Sequence, residues 1–199
     1  MCFVQHHCIY CDSRSACYGI DGFDTEILVK VNALELLRKE LARKRVKGVI
    51  GLGSMNDPFM PIEREWNLTG QALVMIAEFG FPVHIITKSD LVLKDLDTLH
   101  AISRTYASIS FTLTTVDDTL AAKVEPLAPR PSARLAAMRV LADHGIQTGV
   151  TLMPVLPFIE DNEENITAVV EQAAAAGARY ILPWMGMSLR DRQREYFYQ

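Results

Sequence analysis

Apolar and polar positions follow two different periods along this chain. Segments with apolar residues three and four positions apart predict amphipathic helices, and they alternate with short apolar runs that predict buried strands. Ser89 or Asp90 is the expected N-cap of the third helix and Ser132 that of the fourth, which Gly145 ends. The segment 116–130 is predicted to be a proline-punctuated loop. The predicted helices are 31–47, 64–80, 90–106, 131–145, 162–178 and 188–198, and the predicted strands are 47–54, 82–89, 107–115, 146–157 and 179–184.

The order of these segments predicts an α/β fold. A strand is followed by a helix five times, and the strands are almost continuously apolar. Such strands are typical of a parallel sheet with outer helices. The sheet either stays open and doubly wound or curls toward a barrel, and in both forms ligands bind at the carboxyl ends of the strands. The candidate functional positions are therefore 54–57, 87–89, 112–115, 153–157 and 183–185.

Composition and charge narrow the class of protein. The 199 residues, 49% of them hydrophobic, are typical of one soluble domain, and the formal net charge of −4 argues against a general affinity for nucleic acid without excluding a local basic face. No apolar run reaches the roughly 18–20 residues of a membrane span, and the first residues lack the regions of a secretion signal. We therefore expect a cytoplasmic protein with no membrane partner. In a reducing compartment, closely spaced cysteines bind metal or do chemistry more often than they form disulfides.

All four cysteines lie within the first 17 residues, and Cys8 and Cys11 form a C-x-x-C pair. This spacing lets two sulfurs reach one metal centre from a single turn. Zinc sites, iron–sulfur clusters and redox-active thiol pairs all use it, so the spacing alone leaves these alternatives open. A zinc site would recruit further ligands from Cys2, Cys17, His6 and His7.

A resemblance to a known family favours the iron–sulfur cluster. The string HHCIYCDSRSACY, followed in order by GSMNDPFMPIE, TKSDLVLKDLD, SISFTLTTVDD and GVTLMPVLPFIEDNEENI, resembles the radical S-adenosylmethionine enzymes of the spore photoproduct lyase-like family. The resemblance implies one core domain over 1–199, a partial (β/α)6 barrel with parallel strands and outer helices, whose first strand is largely missing. It also implies a [4Fe-4S] cluster on three cysteines, within the segment 1–17, and S-adenosylmethionine (SAM) on the open iron. The implied product is a 5′-deoxyadenosyl radical that abstracts hydrogen from a substrate, and the implied partner is an electron donor such as flavodoxin or ferredoxin.

The cluster motif departs from the family pattern C-x-x-x-C-x-x-C at its first position. Val4 stands where the first cysteine is expected, and Cys2 lies two residues too early, although His6 is in register. The implied ligands are Cys8 and Cys11, with Cys2 as the third ligand through a longer loop, or with the first ligand absent. The short start and the family's continuation beyond the last helix lead us to expect truncation at both ends. A zinc-binding module and a cluster-deficient fragment are the alternative interpretations.

The resemblance also implies residues that bind SAM. Lys88 ends an apolar strand, where a charge is costly without a partner, and the family places a lysine here against the SAM carboxylate. Photoproduct repair itself is not favoured, because the hydrogen-donor cysteine expected of that enzyme has no counterpart after Cys17. The stretch 153–165 is expected to close over the adenine. The implied SAM-binding residues are Ser54, Asn56 and Asp57 near the amino group, Lys88 and Ser110 near the carboxylate, and Tyr10 near the adenine.

Overall fold

Strands and helices alternate along the chain, as the sequence predicts. The computed structural model describes residues 6–20, 22–23 and 26–199. Within these residues, no helix is both long and apolar enough to cross a bilayer. The strands of the described part are β1 (Ile50–Leu52), β2 (Val83–Thr87), β3 (Ala107–Thr112), β4 (Gln147–Val155) and β5 (Ile181–Met185). Its helices are α1 (Ala33–Arg43), α2 (Glu63–Trp66), α3 (Leu68–Phe79), α4 (Leu96–Ser103), α5 (Asp118–Val124), α6 (Pro131–Asp143), α7 (Glu163–Ala175) and α8 (Asp191–Phe197), with 3-10 turns at Asp12–Arg14, Ala16–Tyr18 and Asp90–Asp95.

The strands form one parallel sheet in the order β1-β2-β3-β4-β5. A doubly wound sheet reverses its strand order at a switch point, and no reversal occurs among the described strands. Sequential parallel order is that of a sheet curling toward a barrel. The fold is therefore α/β, and it is consistent with the predicted partial barrel.

Alternate strand residues point to opposite faces of the sheet. On the helix-covered face, Val83 and Ile85 of β2 and Ile109 and Phe111 of β3 are fully buried in the main hydrophobic core. The other face carries polar side chains such as Ser110 at the intervening positions. The core thus accounts for one face of the sheet and leaves the other for binding and chemistry.

Two predicted helices are interrupted. The segment 64–80 contains α2 and α3, separated by Asn67, whose φ of 48° is a left-handed conformation that asparagine tolerates. The segment 90–106 opens with the 3-10 turn Asp90–Asp95 before α4 begins. Ser89 caps this turn by accepting a hydrogen bond from the backbone N–H of Leu91 at 3.2 Å. The predicted cap is confirmed, although it precedes a 3-10 turn rather than an α-helix.

The fourth predicted helix begins at Pro131, the start of its predicted range, but two residues before the first helical position that an N-cap at Ser132 would give. Pro131 opens α6, because the fixed φ of proline suits the first helical position. The prediction of Ser132 as N-cap is wrong: Ser132 lies inside the helix, and its hydroxyl donates to the carboxylate of Asp118 at 2.6 Å. Gly145, with a φ of 73°, follows the end of the helix as predicted.

The predicted loop 116–130 contains a helix, α5, that the sequence pattern did not indicate. The Asp117 side chain caps it by accepting hydrogen bonds from the backbone N–H groups of Thr119 and Leu120. Only Ala121 and Val124 of this helix are buried. Its apolar stripe is therefore too short to produce a recognisable helical period.

Candidate functional site

A cavity of about 340 Å³ lies at the carboxyl ends of the strands, where the sequence predicts the site. One side is polar and comes from the cysteine segment and from the residues that follow β1 and β2. The other side includes the apolar residues Met153, Pro154, Trp184 and Met187. The predicted site residues that line the cavity are Cys8, Tyr10, Cys11, Ser54, Asn56, Asp57 and Lys88.

Ser110 is not among the residues that line the cavity. It lies two residues before Thr112 on the same face of β3. Its hydroxyl is 2.8 Å from Nε2 of His84 and 2.7 Å from the hydroxyl of Tyr180. Thr112, two residues further along the strand, lines the cavity and is 2.9 Å from the hydroxyl of Thr151. Ser110 was expected from the family resemblance, whereas Thr112 is one of the strand-end positions 112–115 that the predicted fold marked as functional.

The segment 6–11, which we call the cysteine loop, is held by backbone and side-chain contacts from distant parts of the chain. The backbone N–H of Ile9 donates to the carbonyl of Val124 at 3.0 Å, and the N–H of Leu127 donates to the carbonyl of His6 at 3.2 Å. On the other side, the buried amide of Gln193 donates to the carbonyl of Tyr10 at 2.8 Å. The end of α5 and the last helix therefore position both cysteines.

Asp57 joins the cysteine loop to the ends of β1 and β2. Its carboxylate accepts from the Thr87 hydroxyl at 2.7 Å and from the backbone N–H groups of Lys88 and Phe59 at 2.6 and 2.9 Å, and Nε2 of His6 lies 3.1 Å away. Burial alone would raise the pKa of Asp57, but these contacts, led by His6, hold the pKa below its ordinary value. Both carboxylate oxygens are thus occupied by protein donors.

Three charged side chains, which we call the ion cluster, meet at the cavity: Lys88, which lines it, and the buried Glu125 and Arg134. Arg134 donates to one carboxylate oxygen of Glu125 and Tyr10 donates to the other, while the ammonium of Lys88 is 3.9 Å from the second oxygen. Lys88 also lies 5.7 Å from the centre of the Tyr10 ring. Burial would raise the pKa of Glu125, but the charges of Arg134 and Lys88 hold it below its ordinary value.

Two cysteines on one cavity provide soft thiolate donors of the kind that an iron–sulfur cluster requires. Burial raises the pKa of Cys8 to about 12, so the free thiol keeps its proton and a metal must displace it. Within the described residues, no three His, Cys, Asp or Glu side chains are grouped to hold a metal ion. The predicted third ligand Cys2, like Val4, lies outside the described residues.

Glu160 is a further buried carboxyl group near the site, on the loop that follows β4. It accepts from the Thr114 hydroxyl at 2.7 Å and from the backbone N–H of Leu156 at 3.3 Å. Burial raises the pKa of Glu160 to about 7. The two neutral donors offset only part of the cost of burying a charged carboxylate, and the negative charge of Glu125 raises the pKa further. Its carboxyl group therefore changes its charge near neutral pH.

Sequence reasoning missed two buried charges of the site, Arg134 and Glu125. Arg134 shares its helical spacing with Ala137, Met138 and Leu141, all buried, so the period that predicted α6 also marked Arg134 as facing inward. Glu125 had no such signal, because it follows the short helix α5. A buried charge is recognisable from sequence only when it lies on a clear apolar stripe.

The chain matches proteins of known families over most of its length. A family profile described as Radical SAM superfamily matches residues 5–170. An uncharacterized protein of Mycobacterium tuberculosis, Rv2578c, is 32% identical over 200 residues, which cover 97% of this chain and 58% of that protein. The chain thus spans a little over half the length of this curated relative.

Solved structures show the same fold. A spore photoproduct lyase variant with bound AdoMet and dinucleoside spore photoproduct superposes with a TM-score of 0.73 at 16% identity, covering 99% of this chain and 58% of that one. Streptococcus suis SuiB gives a TM-score of 0.64 at 13% identity, covering 99% and 44%. With the family profile spanning residues 5–170, the chain belongs to the radical SAM superfamily.

Proposed function

We propose that this chain holds a [4Fe-4S] cluster on Cys8, Cys11 and Cys2 and binds SAM beside it, generating a 5′-deoxyadenosyl radical that abstracts hydrogen from a substrate. The observation that carries the proposal is the cavity, which combines the two cysteines of the C-x-x-C pair with the ammonium-bearing Lys88 and with polar strand ends. Membership of the radical SAM superfamily supports the same chemistry.

In this proposal, the protein first has to hold the cysteine thiolates in an environment from which water is excluded. When bound, the cluster supplies the single electron that cleaves the sulfonium of SAM into methionine and the radical. Cys8 is 2% exposed and packs with Tyr10, Val124 and Leu156 in a small hydrophobic cluster. This packing excludes water from one side of the cysteine loop.

The second task is to bind the methionine part of SAM. We assign the carboxylate to Lys88, whose side chain is 18% exposed and lines the cavity, and to the hydroxyl of Thr112. Thr112 takes the role that the sequence reading gave to Ser110, which lies two residues earlier on β3. Charge-assisted contacts of this kind are the stronger class of hydrogen bond.

The amino group of SAM requires hydrogen-bond acceptors at the end of β1. Ser54 and Asn56 line the cavity there and offer hydroxyl and amide oxygens. Asp57 has both oxygens occupied by protein donors, so we assign it the positioning of the cysteine loop through His6. The apolar side of the cavity, at Met153 and Pro154, then suits the adenine.

Anaerobic reconstitution with iron and sulfide, followed by an assay for reductive release of 5′-deoxyadenosine, tests the proposal. We expect iron uptake and SAM cleavage in the unmodified chain, and loss of both in Cys8→Ser and Cys11→Ser. Cys17→Ser is the matched control, because Cys17 is exposed and does not line the cavity. Stoichiometric zinc without iron, or a folded protein that takes up iron and ignores SAM, would contradict the proposal.

The third cluster ligand has its own test. If Cys2 ligates the cluster, Cys2→Ser lowers cluster occupancy in the reconstituted protein. If the first ligand is absent, Cys2→Ser has no effect and Val4→Cys raises occupancy. The second outcome would favour the cluster-deficient fragment over an active enzyme.

The substrate and electron donor follow from the same proposal. SuiB has been solved with a precursor peptide, SuiA, and spore photoproduct lyase with a dinucleoside photoproduct. Because these neighbours differ in substrate, we propose only the shared hydrogen abstraction for this chain. The electron comes from a small reductant such as flavodoxin or ferredoxin, which is tested by replacing dithionite with either protein in the 5′-deoxyadenosine assay.

A further inference from the structure

The ion cluster carries more positive than negative charge. Lys88 and Arg134 contribute two cations, and Glu125 contributes one anion. The formal charge of the three side chains is therefore +1. Glu125 lies between the cations and is in contact with both.

Arg134 and Glu125 are fixed and removed from solvent. Their side chains are 0% and 1% exposed. Besides its contact with Glu125, Arg134 donates to the carbonyl of Pro129 at 2.7 Å and to that of Thr112 at 2.8 Å. These charges cannot be screened by water or salt as surface charges are.

The ion cluster is in direct contact with the cysteine loop. Glu125 accepts a hydrogen bond from Tyr10, which lies between the two cysteines of the C-x-x-C pair. Val124, the residue before Glu125, accepts a backbone hydrogen bond from Ile9 and packs against Cys8. The low polarity of this packing lets a buried charge act strongly on its surroundings.

We propose that Glu125 sets the reduction potential of the iron–sulfur cluster, by holding one negative charge between Arg134 and Lys88 beneath the cysteine loop. The inference rests on the proposed function. Adding an electron to the cluster is favoured by nearby cations and opposed by nearby anions, and charge and burial are among the factors that set such potentials. Glu125 acts through the cysteine loop, so it is a positioning residue rather than a catalytic one.

The test is a redox titration of the anaerobically reconstituted protein without SAM, with the reduced cluster measured by electron paramagnetic resonance. Glu125→Gln changes the formal charge of the ion cluster from +1 to +2, and Lys88→Met changes it to 0. The double variant Glu125→Gln/Arg134→Met restores +1 with different side chains. Glu78→Gln is the control, because Glu78 is exposed on α3 and pairs with Arg38.

The potential is expected to follow the formal charge. At a fixed solution potential, the ratio of reduced to oxidised cluster should rise about ten-fold in Glu125→Gln and fall about ten-fold in Lys88→Met, a shift of about 59 mV each way for a one-electron couple. The double variant and Glu78→Gln should stay within about two-fold of the unmodified protein, since neither alters the charge of the ion cluster.

A structural role alone would give a different result. Shifts of Glu125→Gln and Lys88→Met in the same direction, or a double variant that differs from the unmodified protein as much as a single variant does, would overturn the inference. If Glu125→Gln does not fold, the reduction potentials of Lys88→Met, with a formal charge of 0, and of the double variant, with +1, are compared with that of the unmodified protein. If the unmodified chain takes up no cluster, the proposed function is refuted and this inference loses its premise. If the cluster assembles but its reduction potential does not change with these charges, only this inference is refuted.

Discussion

Glu125 and Glu160 are both buried carboxyl groups near the same cavity, yet they differ in charge behaviour. Glu125 lies after α5, where Arg134 and Lys88 hold its pKa below the ordinary value although burial opposes this. Glu160 lies after β4, where burial raises its pKa to about 7 and its donors are neutral. Each is 1% exposed or less.

The difference shows that burial does not determine the charge of a carboxyl group by itself. Desolvation disfavours the ionised form at both positions, and a nearby cation reverses the outcome at one of them. The region around Glu125 therefore supplies fixed charge beneath the cysteine loop. The region around Glu160 supplies a group that titrates near neutral pH. Both carboxyl groups can be tested in the metal-free protein.

Glu125→Gln should have the largest effect of the changes considered. It leaves the guanidinium of Arg134 buried without its counter-ion, which is expected to lower the free energy of unfolding by about 3–5 kcal/mol. Urea denaturation at pH 8 measures this loss. Adding Arg134→Met should recover most of it, and a loss below about 1 kcal/mol in the single variant would contradict the account of Glu125 as a counter-ion.

Glu160→Gln should remove a pH dependence of the free energy of unfolding. The folded pKa of Glu160, about 7, is above the ordinary 4.5. The folded state therefore binds the extra proton between these values, and its stability falls as pH rises through them. We measure the free energy of unfolding of both proteins at pH 5 and pH 8. Between these values, the free energy of the variant relative to the unmodified protein should rise by up to about 3 kcal/mol. A difference that does not change with pH would show that Glu160 is not protonated in the fold, and Glu78→Gln serves as the exposed control.

Thr114→Val should sharpen the description of Glu160. The hydroxyl of Thr114 donates to this carboxyl at 2.7 Å and lowers its pKa. Its removal should raise the pKa of Glu160 further and cost about 1–2 kcal/mol at pH 8, where the group is charged. The pH at which stability stops falling should move upward, as followed by unfolding across pH 5 to 9. In a Glu160→Gln background this displacement should be absent.

Tyr10→Phe should have the smallest effect. It removes one hydroxyl donor from Glu125 and leaves Arg134 and Lys88 in place, so we expect a loss of about 1 kcal/mol with no new pH dependence. Urea denaturation at pH 5 and pH 8 measures both quantities. A loss comparable to that of Glu125→Gln would mean that the hydroxyl, and not the cations, holds the carboxylate.

The strands and most helices could be predicted because their signals are local. A buried strand is a continuous apolar run and a long amphipathic helix repeats its apolar positions, as in α6 from Pro131 to Asp143. The helix α5 lacked such a repeat and was missed. The sequence also predicted that polar residues at the strand ends would gather with Cys8 and Cys11, because parallel strands all end at one edge of the sheet.

The sequence by itself determined the family, the parallel α/β architecture and the edge at which the candidate site lies. Only the tertiary structure decided that Thr112 rather than Ser110 reaches the cavity, and that the oxygens of Asp57 are occupied by protein donors. It also brought Arg134 to Glu125 and left Glu160 with neutral partners. The reason is that charge and hydrogen bonding depend on distances of a few ångströms between residues far apart in the chain, and no local pattern encodes those distances.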